Sequence, residues 1–152
     1  EPLAGWAAAH PEVAGFHVVA AWALATSGDH ERARAALSAA LRVDEPALGL
    51  PLDNTFPISI LAVAETAALV PGVLDPAAAL RTLEVAAGMS GQLVFQPGPH
   101  LVLGPADRAL ALLALLGGDR DRAEQHRAAA VSIAESELSP AWVARSGSMP
   151  GL

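Results

Sequence analysis

The 152-residue chain is 53% hydrophobic and 16% charged, with 16 acidic against nine basic residues and a formal charge of −7. That balance fits one domain with a packed core and repels both phosphate backbones and anionic lipid surfaces, so nucleic-acid and membrane partners are not expected through this segment. Alanine fills 35 positions, Tyr and Cys are absent and every basic residue is arginine, which favours packed helices and excludes disulfides, thiolate catalysis, cysteine zinc sites, lysine-bearing phosphate loops and Schiff bases.

The first predicted helix runs from about Glu12 to Ser27, entered after Pro11, and is apolar nearly all round, so it is expected to be sandwiched between neighbours. Its uncharged run from Val13 to Gly28 is 16 residues long and contains His17, too short to span a bilayer. After Ser27 and Gly28, Asp29 is a good N-cap for a second helix to about Arg42, with Ala33, Ala36, Leu37, Ala40 and Leu41 forming its apolar stripe. The same phrase returns as Ile58 to Val70, a break at Pro71 and Gly72, and Asp75 to Ala87 with Asp75 as cap and Pro76 at the first helical position. A third copy runs from Pro105 to Leu116, breaks at Gly117 and Gly118, and resumes at Asp119 with Ala123, Ala130, Ile133 and Ala134 facing inward. A fourth begins at Pro140.

The turn glycines Gly28, Gly72 and Gly118 lie 44 and 46 residues apart, a period that predicts helix pairs stacked side by side around a shared core. The expected fold class is therefore all-α, an α-solenoid of about three stacked helix pairs plus the start of a fourth, forming a single domain over residues 1–152. Two connectors, Val43 to Pro57 and Gly88 to Gly104, exceed the usual helix-to-helix link. The apolar content of the second, with Leu93, Val94, Phe95 and Leu101 to Leu103, predicts extended structure docked across helix ends. The chain opens at Glu1 without Met or a basic leader and stops just after a new helical pattern begins, which predicts a domain excised from a larger chain.

Gly28, Ala33, Leu37 and Ala40 fall at the spacing of the small and large positions in a tetratricopeptide second helix, and Gly118, Ala123 and Ala130 repeat it. Further phrases follow in order: His10-Pro11-Glu12, Gly28-Asp29-His30-Glu31-Arg32-Ala33, Leu50-Pro51-Leu52-Asp53, Leu61-Ala62-Val63-Ala64-Glu65, Gly104-Pro105, Gly118-Asp119-Arg120-Asp121-Arg122-Ala123 and Pro140-Ala141-Trp142-Val143-Ala144-Arg145. Over roughly residues 10 to 146 this order resembles the tetratricopeptide-like helical-repeat region of large bacterial signalling ATPases, notably LuxR-type transcriptional regulators and relatives fused to adenylate cyclase domains. Asp53-Asn54-Thr55-Phe56 and Arg127 depart from that pattern. The resemblance implies a noncatalytic cytoplasmic module that recognises an inducer or protein partner, including neighbouring domains of its own chain, and couples it to an ATPase switch in transcriptional regulation and signal transduction. The alternative reading is a free-standing small-molecule-binding helical protein.

The histidines at 10, 17, 30, 100 and 126 show no metal-ligand spacing, so no metal, cofactor or catalytic residue is expected. His30 and His126 read as solvated surface positions beside acidic and arginine neighbours, and Gly88-Met89-Ser90-Gly91 lacks the spacing of a nucleophile turn. Glu65 and Glu84 are the acidic residues within expected buried stretches. The residues best suited to contact a ligand or partner are the aromatics Trp22 and Trp142 and the loop cluster Gln92, Phe95, Gln96 and His100, where polar and aromatic groups adjoin apolar sequence.

Overall fold

Seven helices and one hairpin follow the chain in a computed structural model, which describes residues 5, 7, 9, 10, 13–96 and 101–149. They are α1 (Ala14–Thr26), α2 (His30–Ala40), α3 (Phe56–Leu69), α4 (Pro76–Ala86), β1 (Leu93–Gln96), β2 (Leu101–Pro105), α5 (Ala106–Leu116), α6 (Arg120–Glu137) and α7 (Pro140–Gly147). The three aspartates expected as caps begin α2, α4 and α6: their side chains accept from the amides of Arg32 at 3.2 Å, Ala78 at 2.9 Å and Arg122 at 3.1 Å. Asp29 and Asp119 also close the preceding helix, since their own amides reach back to the carbonyls of Leu24 and Ala114, each at 2.9 Å. That return needs a left-handed residue just before the aspartate, and Gly28 and Gly118 supply it at φ 87° and 84° without the Cβ penalty.

α1 packs on α3 and α3 on α5, while α2 and α6 flank α1 and α5. α3 and α5 are buried almost all round, and their Ile60, Leu61, Val63, Leu110, Leu112 and Leu113 are at most 1% exposed. Alanines at 62, 64, 109, 111 and 114, none of them exposed, let these helices approach closely. The flanking helices show the predicted stripes: Ala33, Leu37 and Ala40 are buried in α2, and Ala123, Ala130 and Ala134 in α6.

Packing departs from expectation in two places. α1 packs between α2 and α3, but Phe16, His17, Val19, Trp22 and Leu24 are half-buried among the described residues. The middle pair is also open, with α4 approaching α5 and the 3-10 turn Pro46–Gly49 more closely than it approaches α3. Its connector runs from Val70 to Asp75, longer than the three residues that join α1 to α2 and α5 to α6; within it Val70 is buried with Ala25 and Ala33, and Leu74 in the main core.

The second long connector holds a two-stranded antiparallel hairpin, which adds strand to an otherwise helical fold. Leu93 pairs with Pro105 and Val94 with Gly104; beyond a bulge, Phe95 pairs with Val102 and Gln96 with Leu101. Alternation along β1 buries Val94, at 1% exposed, and turns Phe95 outward at 53%.

Candidate functional site

α5 opens with two charged residues in a helix that is otherwise alanine and leucine. Successive residues on a helix point about 100° apart, so Asp107 and Arg108 face different neighbours and each builds its own polar cluster. Asp107 is fully buried and accepts from the Ser90 hydroxyl at 2.8 Å and the Gly91 amide at 2.7 Å. Nδ1 of His126 on α6 lies 2.8 Å from the same carboxylate oxygen that Ser90 meets. Facing a carboxylate oxygen, Nδ1 is the nitrogen that donates. A serine, an aspartate and a histidine thus meet, but the serine donates to the carboxylate and not to the imidazole, which is not the serine-to-imidazole order of a nucleophilic triad. What the arrangement does is tie the segment around Ser90 and Gly91 to α5 and α6.

Arg108, 6% exposed, faces the other way. Its Nε meets Glu65 Oε1 of α3 at 2.6 Å and its Nη2 approaches Oε2 at 3.4 Å, a two-pronged pairing suited to the planar guanidinium. Nη1 donates to the carbonyls of Arg145 and Ser148, at the end of α7. Helix C-terminal carbonyls lack intrahelical donors and carry partial negative charge, so a cation there is doubly suited. Arg145 returns to Glu65 Oε1 at 3.3 Å and lies 5.5 Å above the Trp142 ring. The Trp142 ring in turn covers Gly104: a Cβ built there would stand 2.5 Å from the ring.

Of the expected contact residues, Phe95 lies in the hairpin, Gln92 just before it, and Trp142 packs against it. Trp142 packs on Gly104, whose strand partner Val94 adjoins Phe95, and Gln92 lies just before the same hairpin with its side-chain amide donating to the Gly88 carbonyl at 3.0 Å. Gln96 ends β1, and its side chain, like the whole of His100, falls outside the described residues. Trp22 stands apart on α1, half-buried and packed against the core. A shallow groove of about 290 Å³ lies instead between α1 and α2, lined by Ala7, His17, Ala20, Leu24, Arg32, Ala35 and Ala36.

Three sequence readings change. His126 is not a solvated position but an 18% exposed side chain bonded to Asp107. Glu84 is not buried: its side chain is 65% exposed and bonds Arg122. Asp107 and Arg108 were missed because an acidic residue in the first turn reads as a favourable helix-dipole charge; the available signal was two adjacent charges opening a helix too apolar to have a solvent face. Among the described residues no group of three or more His, Asp or Glu is placed to hold a metal ion, and no helix is long and apolar enough to cross a membrane. Compared with family models, curated proteins and solved structures, the chain matches none of them.

Proposed function

We propose that this chain is a noncatalytic helical-repeat interaction and sensor module. In this reading it is a tetratricopeptide-like solenoid that serves as the recognition part of a multidomain LuxR-type regulator in the cytoplasm and passes an inducer or partner signal to an ATPase switch. The observation that carries the reading is the row α1, α3, α5, in which successive helices pack in sequence, with the same glycine turn and aspartate cap after α1 and α5 and a longer link to a capping aspartate after α3; this is how repeat arrays build extended recognition surfaces. It is supported by the buried polar groups around Asp107 and Arg108, whose bonds run to one another and to backbone, which suits a scaffold.

The test uses the native polypeptide isolated from its source cells. A chain of about 100 kDa, the size several domains require, whose ATP hydrolysis responds to an inducer with a response lost in Phe95→Ala, supports the proposal. A native chain near 15 kDa would overturn the multidomain reading. The groove between α1 and α2 favours one second reading, a free-standing binder of small molecules with an apolar body and an acidic end facing Arg32 and His17. A ligand-dependent rise in Tm of this chain alone would select it.

A further inference from the structure

α7 is attached to the stack unlike any other helix among those described. Every other helix buries apolar side chains, whereas the buried residue of α7 is Ser146, with Trp142 and Val143 only half-covered. Apart from the Trp142 ring over Gly104, its fastenings are polar: Arg108 holds the terminal carbonyls of Arg145 and Ser148, and the Arg145 guanidinium, whose side chain is 44% exposed, reaches Glu65. Buried ion pairs return little beyond the hydration they give up. The Ser146 hydroxyl opposes docking outright, since it is fully buried with no hydrogen-bond partner among the described residues, and opening would restore its water contacts. The apolar anchor at this end is Met149, beyond the helix and 6% exposed.

The surface beneath α7 is formed largely by α6. With 18 residues α6 outruns the 11-residue α5 against which it packs, and α7 covers the remainder, bringing Gly147 close to Val131. A short link, Leu138 and Ser139, joins the two helices.

We propose that α7 is a polar latch. Residues 140–149 leave the stack as one unit while α1 to α6 stay folded, baring the far end of α6 and the carbonyl-binding Arg108. The opening is a property of the fold and holds whatever the domain recognises.

Native-state hydrogen exchange on the whole chain tests it. The amides of Trp142, Val143 and Ser148, which bond the carbonyls of Ser139, Ser139 and Ala144, should share a single opening equilibrium and exchange at least about 100-fold faster than the interior amides of α3, a gap that a separate opening requires. Ser146→Ala removes the unpaired hydroxyl and should slow all three together by about tenfold while leaving α3 unchanged; Arg145→Ala should speed them. Exchange of α7 in step with α3 would overturn the latch, as would unequal rates along α7 that mark simple fraying, or α7 rates that Ser146→Ala does not move.

Discussion

Glu65 and Arg108 stand 43 residues apart in the chain, yet their carboxylate and guanidinium meet at 2.6 Å with each side chain only 8% exposed. Removing one member strands the other in the core. Arg108→Ala should therefore lower stability by about 3–5 kcal/mol, while Arg108→Met combined with Glu65→Leu should recover most of that loss, because an apolar pair of similar volume avoids the desolvation cost. Urea midpoints of the single and double variants check both statements.

Asp107 collects three donors, so its loss should exceed that of any one of them. Ser90→Ala should cost about 1 kcal/mol, and Asp107→Ala about 3 kcal/mol or more, since it removes the acceptor that three donors share. In a double-mutant cycle, Ser90→Ala on the Asp107→Ala background should add almost nothing. Full additivity would mean that the two side chains do not interact.

Two glycines separate contact from conformation. Gly118 has φ 84° and open space where a Cβ would lie, whereas Gly104 has φ 115° and the Trp142 ring 2.5 Å from that position. Gly118→Ala should cost about 1 kcal/mol through backbone strain alone. Gly104→Ala should cost more and displace the ring, by about 1–3 kcal/mol of overpacking in addition. Fluorescence distinguishes them: in a variant retaining Trp142 as its single tryptophan, the emission should shift with Gly104→Ala and stay fixed with Gly118→Ala.

Asp53 gives a local pH readout. Its Oδ1 accepts from the Thr55 hydroxyl at 2.6 Å and the Thr55 amide at 2.8 Å, and the hydroxyl, followed by the amide, holds the carboxyl below the usual aspartate value. A lowered folded value means that this turn contributes stability above the unfolded pKa and loses it as pH falls through the folded one. A carbon-detected NMR titration should place Asp53 below ordinary aspartates, and Thr55→Val, which keeps the amide, should return it part of the way. An unchanged titration in that variant would remove the hydroxyl from the account.

Local features of the fold were legible in the sequence because their causes are local. Asp29, Asp75 and Asp119 each cap the helix that follows, and Gly28 and Gly118 turn the chain where no side chain can easily follow. The apolar run in the second connector announced docked extended structure, but its pairing of Val94 with Gly104 depends on the helices beneath it. The polar clusters were hidden for a different reason. Glu65 meets Arg108, and His126 meets Asp107, only once α3, α5 and α6 have packed, and a histidine among arginines and acids looks the same on a surface as in a crevice. The openness of the middle pair likewise follows from how α4 leans on α5, which no period in the sequence encodes.

The first turn of α5 also removes an ambiguity. From Ala109 to Leu116 the helix reads Ala-Leu-Ala-Leu-Leu-Ala-Leu-Leu, a text that looks nearly the same from several sides and could slide by a turn against its neighbours at little cost to apolar contact. Asp107 and Arg108 end that degeneracy. A one-turn slip would carry both charges away from the Ser90 segment and from Glu65 at once, leaving Asp107, Arg108 and Glu65 without company in a dry interior. In an alanine- and leucine-rich stack whose packing alone discriminates weakly, two adjacent charged residues act as the alignment mark that makes one arrangement the native one.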